Sequence, residues 1–550
     1  MYKKQIIASL ILIASISVLM KLYLIDFSTY VTGDVMGYAL SVFSFSNGDF
    51  TPVFNKPPGW PYFLFPFFQL IDSNNFIDYS VMIKSLSIAI STLTIIPVYF
   101  LARKWFSEKY SIVGAALFAF EPHLNYNAGF GYAEPLYIAL IVISLYFISS
   151  TQYRYVCLSF LFAGFAWWAR WPGVMIFLVI SIIFLFNSQK SKKSFLKYLG
   201  CVGIFVIIVS PMLIDRNDAF GDPLYFGTTN AIYTGDYAPI QSNMINTKNL
   251  EYSAFDYIND NGFQKFTERF LINGTLSITA DIIKNSFPYL IFLIPFGILL
   301  SFKTLTIDRK LINANWLVIL VPIISLVAIY AVISEKRFLF PLIPFLILFA
   351  VLPIQRIIEN GLGRFAFSEH QKNLALIILL MIILLSSFLF IQRYSIVDEA
   401  EAKEKLDFAE HALNNFEGKM LDAGGTTSGV RYLKLNDPEG AFKTYLNSNH
   451  KYPKETILKE GYLVPFKSND NLILIAIYAK TFDEFMTISK DYGLDYISIS
   501  DKHLAEPIYP YFKNLFNNES QYAELKKVFD SDDHGYEKFK VKVFKIDHES

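Results

Sequence analysis

Long apolar runs alternate with short polar breaks over the first 392 residues, and the pattern changes from Arg393 on. A helix needs about 20 apolar residues to cross a hydrocarbon core. Eleven stretches read as spans: 5–25, 80–102, 111–124, 134–150, 155–169, 172–187, 196–214, 285–302, 311–333, 338–354 and 373–392. Several middle ones are short, and Pro122, Pro135, Pro172 and Pro211 fall at or near their ends. Residues 57–71 are apolar too but contain Pro57, Pro58, Pro61 and Pro66, which predicts a surface or re-entrant segment rather than a span. Beyond Arg393 the periods shorten. Residues 472–478 read as a buried strand, 482–490 as a helix closed by Gly493, and 495–500 and 539–546 alternate as half-buried strands do.

The pattern therefore predicts a polytopic α-helical membrane module over 1–392, with about eleven transmembrane helices, and a soluble α/β domain over 393–550. Composition agrees. Hydrophobic residues make up 53% of the 550 and charged residues 17%, against about 25% charge in a soluble domain. About half of all Asp, Glu, Lys and Arg lie from Arg393 on. Lys+Arg and Asp+Glu balance at 48 each, which argues against a nucleic-acid partner. Cys157 and Cys201 sit in apolar runs and make no disulfide framework, and no Cys/His group has zinc spacing.

Lys and Arg placement predicts sidedness. With the N-terminal side taken as inside, the inner segments carry Lys3, Lys4, Arg103, Lys104, Lys109, Arg154, Lys190, Lys192, Lys193, Lys197, Lys303, Arg309, Lys310, Arg356, Arg364 and Lys372. The short outer loops carry Lys56, Arg170, Lys336 and Arg337. Residues 26–79, the long loop 215–284 and the C-terminal domain then face outward, with an uncleaved first span. Abundant Ile, Lys, Asn, Phe and Tyr point to an AT-rich genome and a prokaryotic plasma membrane.

Candidate chemistry gathers at the outer ends of the spans. Asp34 and Tyr38 are one helical turn apart in the first outer loop, so they share a face. Asn55-Lys56-Pro57-Pro58-Gly59-Trp60 comes next. Lys84 lies one turn inside the second span. Glu121, His123 and Glu134 bracket the second outer loop, Arg170 closes Trp167-Trp168-Ala169, Asp215-Arg216-Asn217 open the long loop, and Lys336-Arg337 precede Phe338. Ionisable groups near hydrocarbon are costly and mark pathways or sites. The ordinary alternatives are a polar loop for Asp34 and snorkelling to lipid headgroups for the cations.

The ordered set resembles the C-type glycosyltransferase superfamily, and more closely its branch of protein O-mannosyltransferases and lipid A aminoarabinose transferases. The resemblance rests on Asp34 with Tyr38, Lys56-Pro57-Pro58, Pro122, Tyr132-Ala133-Glu134, Ala163-Gly164-Phe165-Ala166 running to Arg170, Arg216-Asn217 before Phe220-Gly221-Asp222-Pro223-Leu224, and Lys336-Arg337-Phe338 with Pro341 and Pro344. Val35 stands where many members have a second carboxylate, and Asn55 where the aminoarabinose branch has Glu. Trp167-Trp168-Ala169 lacks the acid of the oligosaccharyltransferases' Trp-Trp-Asp motif, which argues against that branch.

The resemblance implies an outward-facing sugar transferase with a polyprenyl-phosphate donor. Nucleotide sugars do not cross the bilayer, so the donor must travel in it. Asp34 would be the general base on an acceptor hydroxyl, giving displacement with inversion. Lys56, Arg170 and Arg337, and secondarily Lys84 and Arg216, would hold the departing phosphate. Tyr38, Glu134 and His123 would position acceptor or sugar. The acceptor would be a protein, lipid or glycan. No cofactor is required; a divalent metal is possible, though one loop carboxylate is a poor site for it. The competing readings are a transporter or lipid flippase, which would usually show paired repeats and Gly/Pro-broken helices near the midplane, whereas the sequence has no repeat and its charges cluster at one face, and a non-catalytic membrane scaffold.

Overall fold

The structure is a computed structural model. It describes residues 3–46, 48, 50, 52, 56–188, 191–225, 232–235, 252–303, 307–365, 367–393, 399–421, 423, 426–435, 462–464, 472–477, 479, 481–505 and 509–548. Asn55, Tyr478 and much of the long loop 215–284 thus lie outside the described residues.

A helix stands at each of the eleven stretches, but their lengths differ from the expectation of uniform spans. Six helices are long and apolar enough to cross alone: Lys3–Leu24, Phe76–Ala102, Lys192–Phe220, Arg309–Tyr330, Lys336–Phe365 and Glu369–Ile391. A bent pair, Phe263–Asn285 with Leu290–Lys303 at 113°, makes a seventh when counted as one span. The remaining four are shorter: Glu108–Ala119, Glu134–Ile148, Tyr153–Ala169 and Gly173–Asn187 have 12, 15, 17 and 15 residues. At 1.5 Å per residue, 15 residues reach only about 22 Å, short of the roughly 30 Å of hydrocarbon. The stretch read as span 111–124 ends at Ala119. Glu121 then caps a new helix, Pro122–Gly129, through its carboxylate. Proline at the first position suits such a restart.

Burial orders the bundle. In Lys336–Phe365, 89% of the apolar window is buried, against 22% in Lys3–Leu24, Lys192–Phe220 and Glu369–Ile391. The first is the central helix, and the other three turn large apolar side chains such as Ile11, Ile207 and Ile382 outward. Gly297 marks the tightest packing on the central helix, since a Cβ there would overlap the Phe349 carbonyl. The proline-rich segment is a ten-residue helix, Gly59–Phe68, too short to span.

The C-terminal region holds a six-stranded mixed sheet. Its strands are β1 Gly418–Leu421, β2 Tyr462–Val464, β3 Leu472–Ala476, β4 Tyr496–Ser500, β5 Leu525–Asp530 and β6 Val541–Ile546, in the order β2-β3-β1-β4-β6-β5. β1 pairs parallel with β3 and β4, and the other pairs are antiparallel. The Phe482–Tyr492 helix ends on Gly493 in the left-handed conformation, as the sequence predicts. Tyr432, from the Ser428–Leu435 helix, packs into the apolar cluster that contains Val31, Val35 and Met36. The sheet region therefore rests on the segment that carries Asp34.

Candidate active site

Local structure places each side chain of the site. Gly33 takes φ +57° and turns the loop into the Gly33–Ser46 helix, with Asp34 in its first turn. The unpaired N–H groups of a helix start favour a carboxylate there. The next few residues of the chain anchor Lys56. Trp60 is fully buried and its Nε1 donates to the Gly131 carbonyl at 3.0 Å. A Cβ on Gly59 would lie 2.5 Å from the Trp168 carbonyl, so only glycine lets the two segments meet. Arg170 is the extended residue that ends the Tyr153–Ala169 helix, just before Trp171, whose helical conformation Pro172 disfavours. Arg337 sits in the 3-10 turn Lys336–Leu342 that leads into the central helix.

These elements bring three cations and three carboxylates together. Lys56 Nζ is 3.4 Å from Asp34 Oδ1 and donates to the Asp34 carbonyl at 3.2 Å. Arg337 Nη2 donates to Asp34 Oδ2 at 2.8 Å, and its Nε donates to Glu335. Arg170 Nη1 lies 3.2 Å from Glu134 Oε1. Aromatic faces line the cations: Lys56 is 5.2 Å from the Tyr38 ring centroid and Arg337 4.8 Å from that of Tyr132. Burial works against the Asp34 carboxylate, but Lys56, Arg337 and Arg170 outweigh it and hold Asp34 well below the usual carboxylate range. Burial pushes the Tyr38 phenol up, so it is a neutral hydroxyl among these charges.

Polar atoms at this mouth are unspent. Glu134 Oε1 has its ion pair with Arg170, but Glu134 Oε2 accepts no hydrogen bond and Arg337 Nη1 donates none, among the described residues. Buried polar groups left so cost about 1–3 kcal/mol each, which suits a site shaped for a polar ligand.

Of the residues singled out in the sequence, Asp34, Tyr38, Lys56, Glu134, Arg170 and Arg337 converge. His123 pairs through Nδ1 with Glu121 at 2.9 Å and lines a cavity shared with Arg337. Lys84 is a correction. Its ammonium is used on the loop, donating to the Asp26 and Thr29 carbonyls at 2.8 and 2.6 Å and to Thr29 Oγ1 at 3.1 Å. Arg216 is fully buried between Trp171 and Phe220 and donates to the Tyr225 carbonyl, so it braces the start of the long loop. Glu335 and Tyr132 were missed as members of the cluster. The charged triplet Glu335-Lys336-Arg337 beside an apolar helix was the signal for the first. Both Asp34 oxygens face cations, and no group of three His, Cys, Asp or Glu side chains that could hold a metal ion occurs among the described residues.

Known proteins share the fold that carries this geometry. Residues 55–214 match the family model of dolichyl-phosphate-mannose-protein mannosyltransferases. No curated protein matches the chain by sequence. Among solved structures, the apo oligosaccharyltransferase of Archaeoglobus fulgidus aligns with 94% of this chain and 71% of its own at 13% identity and TM-score 0.62. The same organism's AglB, in complex with an inhibitory peptide and a dolichol-phosphate, aligns with 96% of this chain and 73% of its own at 12% identity and TM-score 0.59. ArnT from Cupriavidus metallidurans, bound to undecaprenyl phosphate, aligns with 97% of each chain at 13% identity and TM-score 0.51. The fold thus extends to the oligosaccharyltransferases, the branch against which the missing Trp-Trp-Asp motif argues. The resemblance read from the ordered motifs holds: the chain has the fold of the C-type membrane glycosyltransferases and, over residues 55–214, the sequence pattern of their protein mannosyltransferase family.

Proposed function

We propose that this protein transfers a sugar from a polyprenyl-phosphate donor to an acceptor hydroxyl at the mouth where Asp34 lies. The observation that carries the reading is the clamp of Lys56 and Arg337 on Asp34, with Arg170 and Glu134 beside it. The clamp keeps Asp34 ionised but also makes it a weak base. An arriving lipid phosphate offers the same cations a better partner, because guanidinium and ammonium groups bind phosphate strongly. As they turn to the phosphate, Asp34 loses the charges that depress its pKa and its basicity rises. The acceptor oxygen then attacks the anomeric carbon while Asp34 takes the hydroxyl proton. The bond from that carbon to the phosphate oxygen breaks, the configuration inverts, and the polyprenyl phosphate leaves held by Lys56, Arg170 and Arg337. The dolichol-phosphate and undecaprenyl phosphate in the two similar structures support a lipid-phosphate donor. The Lys and Arg pattern supports an external mouth.

One observation favours a second assignment of the base. Glu134 is 2% exposed in its side chain and its Oε2 accepts no hydrogen bond among the described residues, so it too could accept a proton. Single-turnover transfer with Asp34→Asn and Glu134→Gln, beside donor binding for each, decides. Asp34→Asn should bind donor and slow transfer about a hundredfold to ten-thousandfold. A near-normal Asp34→Asn rate with a collapse for Glu134→Gln would move the base role to Glu134, and normal rates for both would overturn the placing of the base at this mouth.

A further inference from the structure

The twelve-residue helix Gly274–Asn285 leads from the long loop into the Leu290–Lys303 helix. Gly274, Ile278, Asp281 and Asn285, spaced by three and four residues, are buried and form its packing face. Its two ends touch the same edge of the bundle. A Cβ on Gly274 would overlap the carbonyl of Val327, three residues from the end of the Arg309–Tyr330 helix. Asp281 Oδ2 accepts from Ser334 Oγ at 2.9 Å, and Asn285 Nδ2 donates to the Lys336 carbonyl at 2.9 Å. Lys336 adjoins Arg337. The helix, about 18 Å long, therefore lies along the edge that carries the charged cluster rather than across the bundle. The next helix turns 113° from it and descends. There Gly297 meets the Phe349 carbonyl, which lies about 18 Å below Arg337 on the central helix.

The other faces of this helix differ from one another. Ile272, Leu276 and Ile283 are 51%, 62% and 46% exposed, and their spacing sets them opposite the packing face. Ser277 and the exposed Lys284 occupy one flank. Ile282, half-buried against the bundle core, occupies the other. The exposed apolar surface runs on through Phe287 in the bend to Phe292, Phe296 and Leu299 on the descending helix. Those side chains meet lipid, so the stripe continues a lipid-facing surface up to the edge of the bundle. An apolar face beside a polar flank, on a helix lying in that plane, fits the boundary between headgroups and acyl chains. We infer that Gly274–Asn285 lies in the leaflet boundary on the Arg337 side, with Ile272, Leu276 and Ile283 in lipid, and that through Asn285 it holds the Arg337 turn at that depth. The partner of this surface is the bilayer itself. The lipid seat stands independently of the reaction; the hold on Arg337 rests on the Asp34–Arg337 clamp proposed above.

The test uses the full-length protein in lipid nanodiscs, in a background lacking Cys157 and Cys201, with a nitroxide spin label on one introduced cysteine. Oxygen partitions into lipid and a nickel chelate stays in water, so the ratio of their collisions with the label reports depth. Leu276→Cys and Ile283→Cys should favour oxygen, and Ser277→Cys and Lys284→Cys the chelate, each severalfold. Chelate access at Leu276→Cys and Ile283→Cys equal to that at Lys284→Cys would put the stripe in water and overturn the lipid seat. Protection of the stripe from both agents would mean that a second copy or another protein surface covers it, and would overturn the seat as well. Asn285→Ala, added to Leu276→Cys, tests the hold. The label depth should stay the same, which shows the helix still folded and seated, while the acid limb of kcat/KM moves upward as in Arg337→Ala. In an Arg337→Ala protein, Asn285→Ala should add no further shift. A limb moved by Arg337→Ala but not by Asn285→Ala would overturn the hold alone. A limb moved by neither would overturn the clamp on Asp34, and the hold with it, while the lipid seat stands.

Discussion

Asp34 carries opposite demands at different moments, and pH exposes them. In the free protein Lys56 and Arg337 hold its pKa below the ordinary value of about 3.9, so kcat/KM should show no acid limb from Asp34 above about pH 4. Removing a cation reverses the sign. In Lys56→Ala or Arg337→Ala the burial that raises the pKa is less opposed, and the acid limb of kcat/KM should move upward into the measurable range. An unmoved limb in both variants would mean that the clamp does not set the ionisation of Asp34. Gly37 offers a gentler route to the same end. It faces Lys56 so closely that a Cβ would overlap the ammonium. The ammonium is the free end of a flexible side chain, so Gly37→Ala should push it off Asp34 rather than disturb the Gly33–Ser46 helix, where alanine is favoured over glycine by about 0.8–1.0 kcal/mol. Gly37→Ala should therefore shift the limb in the same direction as Lys56→Ala with thermal stability kept or raised.

At the scale of elements, the sequence spoke clearly where one periodicity ruled. The strand at 496–500 and the helix stop at Gly493 were legible because alternation and a terminal glycine each have one physical reading. The site was legible for a different reason: charged residues near hydrocarbon are costly enough to stand out, and Asp34, Lys56, Arg170 and Arg337 do meet. Lys84 misled by the same logic, because carbonyls of its neighbouring loop satisfy its charge just as a ligand would. Short helices were harder, since apolar composition alone cannot tell a buried 12-residue helix such as Glu108–Ala119 from part of a span. Contacts between regions left no sequence signal at all. Tyr30, four residues before Asp34, stacks on Tyr432 with ring centroids 4.0 Å apart and planes 3° from parallel, and it shares a side-chain hydrogen bond with Ser428. That contact makes the sheet region a brace for the Asp34 loop. Tyr432→Ala should lose about 0.5–1.5 kcal/mol of stacking beyond lost burial and lower kcat more than it raises KM, because the base is displaced rather than the donor contacts removed. Tyr432→Phe should retain the rate. A Tyr432→Ala enzyme with unchanged kcat would leave the sheet region without a part in positioning Asp34.

At the scale of the whole molecule, the contacts constrain how the chain threads a bilayer. Arg337 and Glu359 lie on the same central segment, 22 residues and so about 33 Å apart, close to one hydrocarbon thickness of roughly 30 Å. Around Arg337 gather Asp34 and Glu335; around Glu359 gather Tyr110 and Lys372, at 2.5 and 3.9 Å. These are the groupings that Lys and Arg placement assigns to opposite faces. Parity is then fixed. The Asp34–Arg337 and Tyr30–Tyr432 contacts demand an even number of crossings between each pair of partners. The four short helices from Glu108 to Asn187 change that number by an even amount whether they cross together or not at all. The bent pair changes it by one: with the six long helices crossing, counting Phe263–Asn285 with Leu290–Lys303 as one crossing satisfies both contacts, and counting it as none does not. On that count, seven crossings and eleven make the same prediction, that the two ends of the chain lie on opposite sides. In intact cells, and in a background lacking Cys157 and Cys201, an impermeant thiol reagent should label Lys526→Cys, on the exposed side of β5. It should label Ser191→Cys only after the membrane is opened. Labelling of both from outside would mean that the bent pair does not cross, and labelling of Ser191→Cys alone would turn the mouth of Asp34 toward the cytosol and remove the need for a donor that travels in the membrane.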